Sequence, residues 1–311
     1  MTSRLSRTAA VGVVGWTILL PAAGAAPQSA PAGGTKVKAN IEYARASGTS
    51  LKLDLYLPAT TSRPAPVIVW IHGGGWRMGD KSHCPFASAT ARGYAVASLD
   101  YRLTDKAIFP AQIHDCKAAI RWLRAHTAEY GLDPDHIGAV GVSAGGHLVA
   151  LLGTTGGMKE LEGTVGDNLK YSSKVQAVAD FCGPTAFTGE TILGPIAERE
   201  RPSLSKLFGG PIADHEDLAR LASPAVHVTK DDPPFLIVHG DQDPLVPLRQ
   251  AQILDEKLTE AGVEHTLHIV KGGGHGGLNP ETVHLTLSFF DKHLKNAPPG
   301  DSATPATRAA P

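Results

Sequence analysis

The stretch Ile137 to Leu148, IGAVGVSAGGHL, constrains the fold of this 311-residue chain more than any other. Ile137, Ala139, Val140 and Val142 form a short apolar strand, Gly141-Val142-Ser143-Ala144-Gly145 follows, and a helix opens at Gly146-His147-Leu148. A strand that enters a helix through G-x-S-x-G turns so sharply that bulky neighbours would collide, which is why the residues two before and two after the serine are small. The serine is then held in a strained conformation, its hydroxyl outward and the N-terminus of the next helix beneath it. In a chain with 34 glycines the pattern by itself is weak evidence. The strand before it and the helix after it give it meaning.

The remaining elements support a layered α/β architecture. Val37–Tyr43 and Leu51–Leu57 read as two strands joined by a turn at Gly48, an antiparallel hairpin at the sheet edge; strict alternation through Asp54 predicts that the second is half exposed. Pro66–Ile71, Tyr94–Asp100, Val175–Phe181 and Pro234–His239 are apolar without alternation, the mark of strands covered on both faces. Helices are expected over Cys84–Ala91, Ala111–Tyr130, Leu248–Ala261 and from Asn279-Pro280 onward, with Gly93, Gly131 and Gly262 as stops. Leu132–Asp135 reads as a turn and His265–Val270 as the last strand. The expected fold is a mostly parallel eight-stranded sheet with helices on both faces.

Residues 1–25 have the form of a secretory signal peptide: Arg4 and Arg7, an apolar run Ala9–Leu20, and a small-residue end at Ala23-Gly24-Ala25. The run is shorter than the roughly 20 residues a bilayer span needs, so no stable span is expected after cleavage. Residues 26–36 read as a flexible leader, 37–296 as the folded domain and 297–311 as a disordered tail. Within the domain, about residues 183–228 read as an irregular, proline-rich insertion over the C-terminal edge of the sheet, a candidate substrate cap. A formal charge of −1 without basic patches argues against nucleic acid as a partner. Three cysteines, Cys84, Cys116 and Cys182, leave at least one thiol unpaired, and buried free thiols are expected. No Cys/His spacing suggests a metal site, and no cofactor is implied.

Candidate chemistry centres on Ser143. A serine hydroxyl needs a positioned base, and His275 alone among 14 histidines lies in a glycine-rich loop after the last strand. Asp243, in the loop after the preceding strand, can accept the other ring N–H and stabilise the imidazolium; Asp241 is a rival, better suited to bonding loop N–H groups. His147 and His239 read as packed residues and His72 as structural support. In His72-Gly73-Gly74-Gly75-Trp76, glycines 73 and 74 can turn their N–H groups toward a substrate and, with the N–H of Ala144, form an oxyanion hole. Trp76 is a candidate substrate contact.

His72 to Trp76, Asp100-Tyr101-Arg102-Leu103, Phe109-Pro110-Ala111, Gly141 to Gly146 and Asp243 to Pro247 together resemble the α/β-hydrolase esterases. The resemblance is to the hormone-sensitive-lipase-like group and most of all to the bacterial feruloyl- and acetyl-esterase-like (BD-FAE-like) family, over residues 38–295. It implies the α/β-hydrolase fold and a serine carboxylesterase acting on a small-molecule or polysaccharide-linked ester, with acetyl or feruloyl groups of plant polysaccharide as the suggested substrates. Val142 departs from the small residue relatives often carry, which is tolerable if its side chain points into the sheet. A prolyl-oligopeptidase-like peptidase shares the elbow and the triad order, but no room is expected here for its propeller. A non-catalytic binding module is the other competing reading, although such modules usually lose a triad member or a hole glycine. With an unperturbed histidine as base, activity is expected to rise with pH through about 6.5. An initial-rate profile that is flat between about pH 5 and 8 would exclude such a base.

Overall fold

The computed structural model describes residues 34–60, 64–188 and 197–295. The signal-peptide and tail expectations (1–25 and 297–311), most of the leader and residues 189–196 of the insertion lie outside the described residues. Lys36–Ala46 (β1) and Thr49–Leu57 (β2) pair antiparallel through the turn at Gly48. Then come Ala65–Ile71 (β3), Ala95–Leu99 (β4), the helices Ala111–Ala125 (α1) and Thr127–Tyr130 (α2), Leu132–Val142 (β5) and Ala144–Thr154 (α3). Lys159–Glu162 (α4), Ala177–Phe181 (β6), Ala197–Phe208 (α5), Glu216–Leu221 (α6), Phe235–Gly240 (β7), Leu248–Ala261 (α7), His265–Val270 (β8) and Pro280–Phe290 (α8) complete the order. The eight strands form one sheet, β1-β2-β4-β3-β5-β6-β7-β8, parallel from β4 to β8. This is the α/β-hydrolase fold.

The apolar runs divide between two cores. Val67, Val69 and Ile71 of β3 enter the layer with α1, α3 and α7, while Ile68 and Trp70 enter the layer with α8. Each residue of the strand is therefore buried, and no polar alternation could survive. Helix ends follow the sequence signals: Gly93, Gly131 and Gly262 adopt left-handed caps, and Asn279 accepts the Thr282 N–H in a reciprocal capping box.

Several expectations are corrected. On the polar face of β2, Lys52 and Tyr56 are half exposed as expected, but Asp54 is buried, paired with Lys81 at 3.0 Å, and accepts the Asn40 N–H at 2.7 Å. The segment expected as a helix over Cys84–Ala91 is a 3-10 turn, Ala87–Arg92. The long helix breaks at His126, whose N–H goes to both Trp122 and Leu123 carbonyls and whose ring stacks on Trp122. Leu132–Asp135 extends β5 rather than turning, and α3 begins at Ala144 instead of Gly146. Among its described residues the insertion is only partly irregular, for it carries α5, with Pro202 inside the helix, and α6.

The loop after β4 fastens the front of the sheet. The Arg102 guanidinium and N–H bond Asp115 of α1 at 2.7–3.1 Å, with the Asp115 side chain fully buried. Beside them Tyr101 donates its hydroxyl to the His72 carbonyl at 3.1 Å and stacks on the His72 ring. Removing one partner of a buried pair strands the other charge. Asp115→Ala is therefore expected to lower stability by about 3–5 kcal/mol in a denaturant titration. A loss below about 1 kcal/mol would show that the pair does not anchor the loop.

Candidate active site

The parallel strands deliver three loops to one edge. Ser143 follows β5, the Asp243 loop follows β7 and the His275 loop follows β8. Ser143 sits at φ 56° and ψ −118°, a strained conformation for a residue with a side chain. Its N–H bonds the Phe181 carbonyl at 2.7 Å and its carbonyl accepts from His147 at 2.9 Å, so the turn is fixed from both sides. The packing leaves no space for larger neighbours: a Cβ on Gly145 would lie 2.0 Å from the Ile71 oxygen, and one on Gly141 would lie 2.4 Å from the Gly145 oxygen. Val142 is partly buried against the α8-side core, its side chain in the sheet layer.

His275 Nε2 is 2.9 Å from Ser143 Oγ, and its Nδ1 is 2.8 Å from Asp243 Oδ2. A carboxylate only accepts, so Nδ1 carries the hydrogen and Nε2 presents its lone pair to the serine hydroxyl. Burial pushes the Asp243 carboxyl up, but bonds from His239, His275 and the Val246 N–H outweigh it and hold the group well below the usual carboxylate range. Burial likewise disfavours charge on His275, yet the Asp243 bond, the neighbouring Cys182 thiol and the Asp243 charge raise its pKa above 6.5. The unperturbed value expected from the sequence is thus displaced upward. Asp241 is spent elsewhere, accepting the Gly272 N–H at 2.7 Å.

Gly73 abuts the elbow, since a Cβ there would stand 2.8 Å from the Val142 oxygen and 3.4 Å from Ser143 Cβ. Gly74, at φ 112°, turns where a Cβ would meet the Met78 carbonyl at 2.1 Å, so only glycine fits. His72 holds this loop through Nδ1–H to the Gly73 carbonyl at 2.8 Å. The Gly73, Gly74 and Ala144 N–H groups have no protein acceptor among the described residues. Trp76, expected as a substrate contact, is committed to protein partners. It is 3% exposed, donates Nε1–H to His147 Nδ1 at 3.2 Å, and packs edge-on against Phe187.

Two neighbours of the triad escaped the sequence reading. His239, read only as a packed strand residue, is fully buried and donates Nε2–H to the Val246 carbonyl at 2.9 Å, standing 3.4 Å from Asp243 Oδ2. Its i, i+4 spacing from Asp243 was the available signal. Cys182 lies at the end of β6, with ligand-type atoms of Cys182, Asp243 and His275 all within 4.8 Å of one another. Both ring nitrogens of His275 are already engaged, which suits a proton relay and leaves neither free for a metal. All three cysteines are free and buried.

The BD-FAE family matches residues 53–258. The chain is 32% identical over 220 residues to Esterase LipC of Mycobacterium tuberculosis, covering 69% of this chain and 54% of LipC. It is 33% identical over 243 residues to Carboxylesterase NlhH of the same species, covering 74% of this chain and 72% of NlhH. The chain thus spans about half the length of LipC and of other curated relatives it matches. Among solved structures it is similar to a truncated form of a carbohydrate esterase from gut microbiota, with TM-score 0.75 and 32% identity, covering 86% of this chain and all of that one.

The arrangement can activate Ser143 only when His275 is neutral. Because its pKa is raised, the rate of labelling by a fluorophosphonate is expected to climb with pH through a value above 6.5 and to vanish in Ser143→Ala. A limb at or below 6.5, or equal labelling of the variant, would contradict the site's electrostatics or its nucleophile.

Proposed function

Because the chain belongs to the BD-FAE family, we propose that it is an exported serine carboxylesterase working through an acyl-enzyme, with acetyl or feruloyl esters of plant polysaccharide as substrates. One observation carries the reading: the continuous relay Ser143 Oγ, His275 Nε2, His275 Nδ1, Asp243 Oδ2, with links of 2.9 and 2.8 Å.

In the proposed reaction Nε2 takes the Ser143 proton as Oγ bonds to the ester carbonyl carbon. The carbonyl electrons move onto oxygen, which the Gly73, Gly74 and Ala144 N–H groups receive; each well-placed donor stabilises the transition state by roughly 3–4 kcal/mol. Asp243, held ionised, stabilises the imidazolium without taking its proton. Collapse of the tetrahedral intermediate breaks the bond to the alkoxy oxygen, and His275 returns the proton to the departing alcohol. Water, activated by the same nitrogen, then releases the acid and restores Ser143.

The polysaccharide side of the proposal draws on the similarity to a carbohydrate esterase. The proposed export draws on Arg4, Arg7 and the apolar run Ala9–Leu20. The cap role suggested for the insertion has geometric support, since a Cβ on Gly75 would lie 3.1 Å from Ser203 Oγ of α5 and the Ala222 carbonyl accepts from His147 beneath the elbow.

A panel of acetyl, butyryl, octanoyl and feruloyl esters, acetylated xylan and an aminoacyl-proline amide tests this reading. Acetyl or feruloyl esters and acetylated xylan should be cleaved, the amide should not, and Ser143→Ala should lower kcat by roughly 10⁴–10⁶-fold. Faster cleavage of the amide, or no ester turnover by an intact protein labelled at Ser143, would overturn it.

A further inference from the structure

Behind the triad lies a second pair of ionisable groups that the reaction above does not use. Asp180 of β6 is in register with Gly141 of β5 and Ile237 of β7. His239 is two residues beyond Ile237, so both side chains project from the same face of adjacent strands. Asp180 is 1% exposed and His239 is 0% exposed. Asp180 Oδ1 accepts the Gly183 N–H at 2.9 Å. It lies against the first turn of α3, where a Cβ on Gly146 would come within 2.3 Å of it. Asp180 Oδ2 and His239 Nδ1 are both buried without a hydrogen-bond partner among the described residues. Orphaned polar atoms are rare in folded proteins, and here two of complementary chemistry occur on one face of adjacent strands, two residues apart in register, next to Asp243.

We propose that Asp180 and His239 are a positioning pair that shares one proton between Oδ2 and Nδ1 through a buried water, and so keeps the His239 Nε2–H on Val246 and Asp243. The inference rests on the serine-hydrolase reading, because its consequence is the orientation of Asp243. Nε2 faces only acceptors, the Val246 carbonyl and the Asp243 carboxylate, so it carries a ring hydrogen; Nδ1 is then the acceptor when Asp180 holds the shared proton and the donor of an imidazolium when His239 holds it. That Nε2–H already donates to Val246 at 2.9 Å and faces Asp243 Oδ2 at 3.4 Å. Burial raises the Asp180 carboxyl to about 6, against the Gly183 bond and the attraction of His239.

The surroundings contain little that could replace this partnership. Of the neighbouring titratable groups, Asp243 from the loop after β7 stands 3.4 Å from His239, and around Asp243 gather His275 from the loop after β8 and Cys182 from the end of β6. From the helix side α3 offers Gly146 and His147, and the His147 ring is occupied by Trp76 and the Ala222 carbonyl. Gly141, across from Asp180 on β5, has no side chain.

The sign of the effect follows from competition for Asp243. Each donor to that carboxylate weakens its hold on the His275 imidazolium. Without the His239 donor, Asp243 pulls harder on His275, and the base needs a higher pH to become neutral. His239→Leu and Asp180→Val are therefore expected to lower kcat at least about tenfold with KM little changed, and to move the acid limb of kcat/KM to higher pH. His239→Gln, whose amide can donate to Asp243, and Asp180→Asn, whose amide can donate to Nδ1, should restore kcat to within about threefold of wild type. Thermal unfolding would identify variants that fail to fold.

A ¹⁵N NMR measurement of histidine tautomers keeps the proposal open to refutation if they do. In the wild type, His239 should be protonated at Nε2 with Nδ1 hydrogen-bonded, and Asp180→Asn should shift the Nδ1 resonance. A free, unbonded Nδ1 that does not respond to Asp180→Asn, or folded His239→Leu and Asp180→Val variants with wild-type kcat and acid limb, would overturn it. The NMR arm reads the pair even if no ester is turned over, so failure of the pair and failure of the hydrolase reading are distinguishable.

Discussion

The structure depends on a single backbone constraint, the left-handed turn at Ser143 between β5 and α3. That conformation costs on the order of 1–3 kcal/mol and persists because its surroundings allow no alternative. The Phe181 carbonyl holds the Ser143 N–H, and α3 approaches β3 so closely that Gly145 lies against the Ile71 carbonyl. Relaxing the turn would separate helix from sheet along the edge where β5 and β3 meet. The parallel sheet thus does two things with one arrangement: it buries apolar strands on both faces, and it points the ends of β5, β7 and β8 at the same place.

Electrostatics at that place are layered. Asp243 is buried, yet its carboxylate receives N–H groups from Leu245 and Val246 at 2.8 and 2.9 Å, in addition to the His275 ring. An ion so surrounded stays charged out of water. It holds a fixed negative charge behind His275, and the ring can become an imidazolium without solvent having to reorganise. On the other side of Ser143 the glycine loop is stiffened by His72, by Tyr101 stacked on it, and through Arg102 by Asp115 of α1. The proposed oxyanion donors are therefore tied to the core and not to a free loop.

Much of this was legible in the sequence because its causes are local. The spans Leu248–Ala261 and His265–Val270 and the cap at Asn279 stand where turn residues and apolar period place them. The strand–turn–helix around Ser143 was readable for the same reason, since its glycines answer to contacts within a few residues. What escaped depends on distant partners. Asp54 is buried because Lys81, far along the chain, neutralises it. Trp76 is committed to His147, an interaction that no pattern around residue 76 announces. His239 looks like any strand residue until β6 brings Asp180 beside it. Pro202 suggested irregular chain, and the helix that contains it forms nonetheless.

The central claim is that one strained hydroxyl, one imidazole and one buried carboxylate meet opposite three backbone donors. The most direct test is a crystal structure of the protein after reaction with a phosphonate ester. The account expects phosphorus bonded to Ser143 Oγ, the phosphonyl oxygen about 2.7–3.1 Å from the N–H groups of Gly73, Gly74 and Ala144, and the His275 ring backed by Asp243. Phosphorus on another residue, or an imidazole turned from Ser143 with no carboxylate behind it, would contradict it.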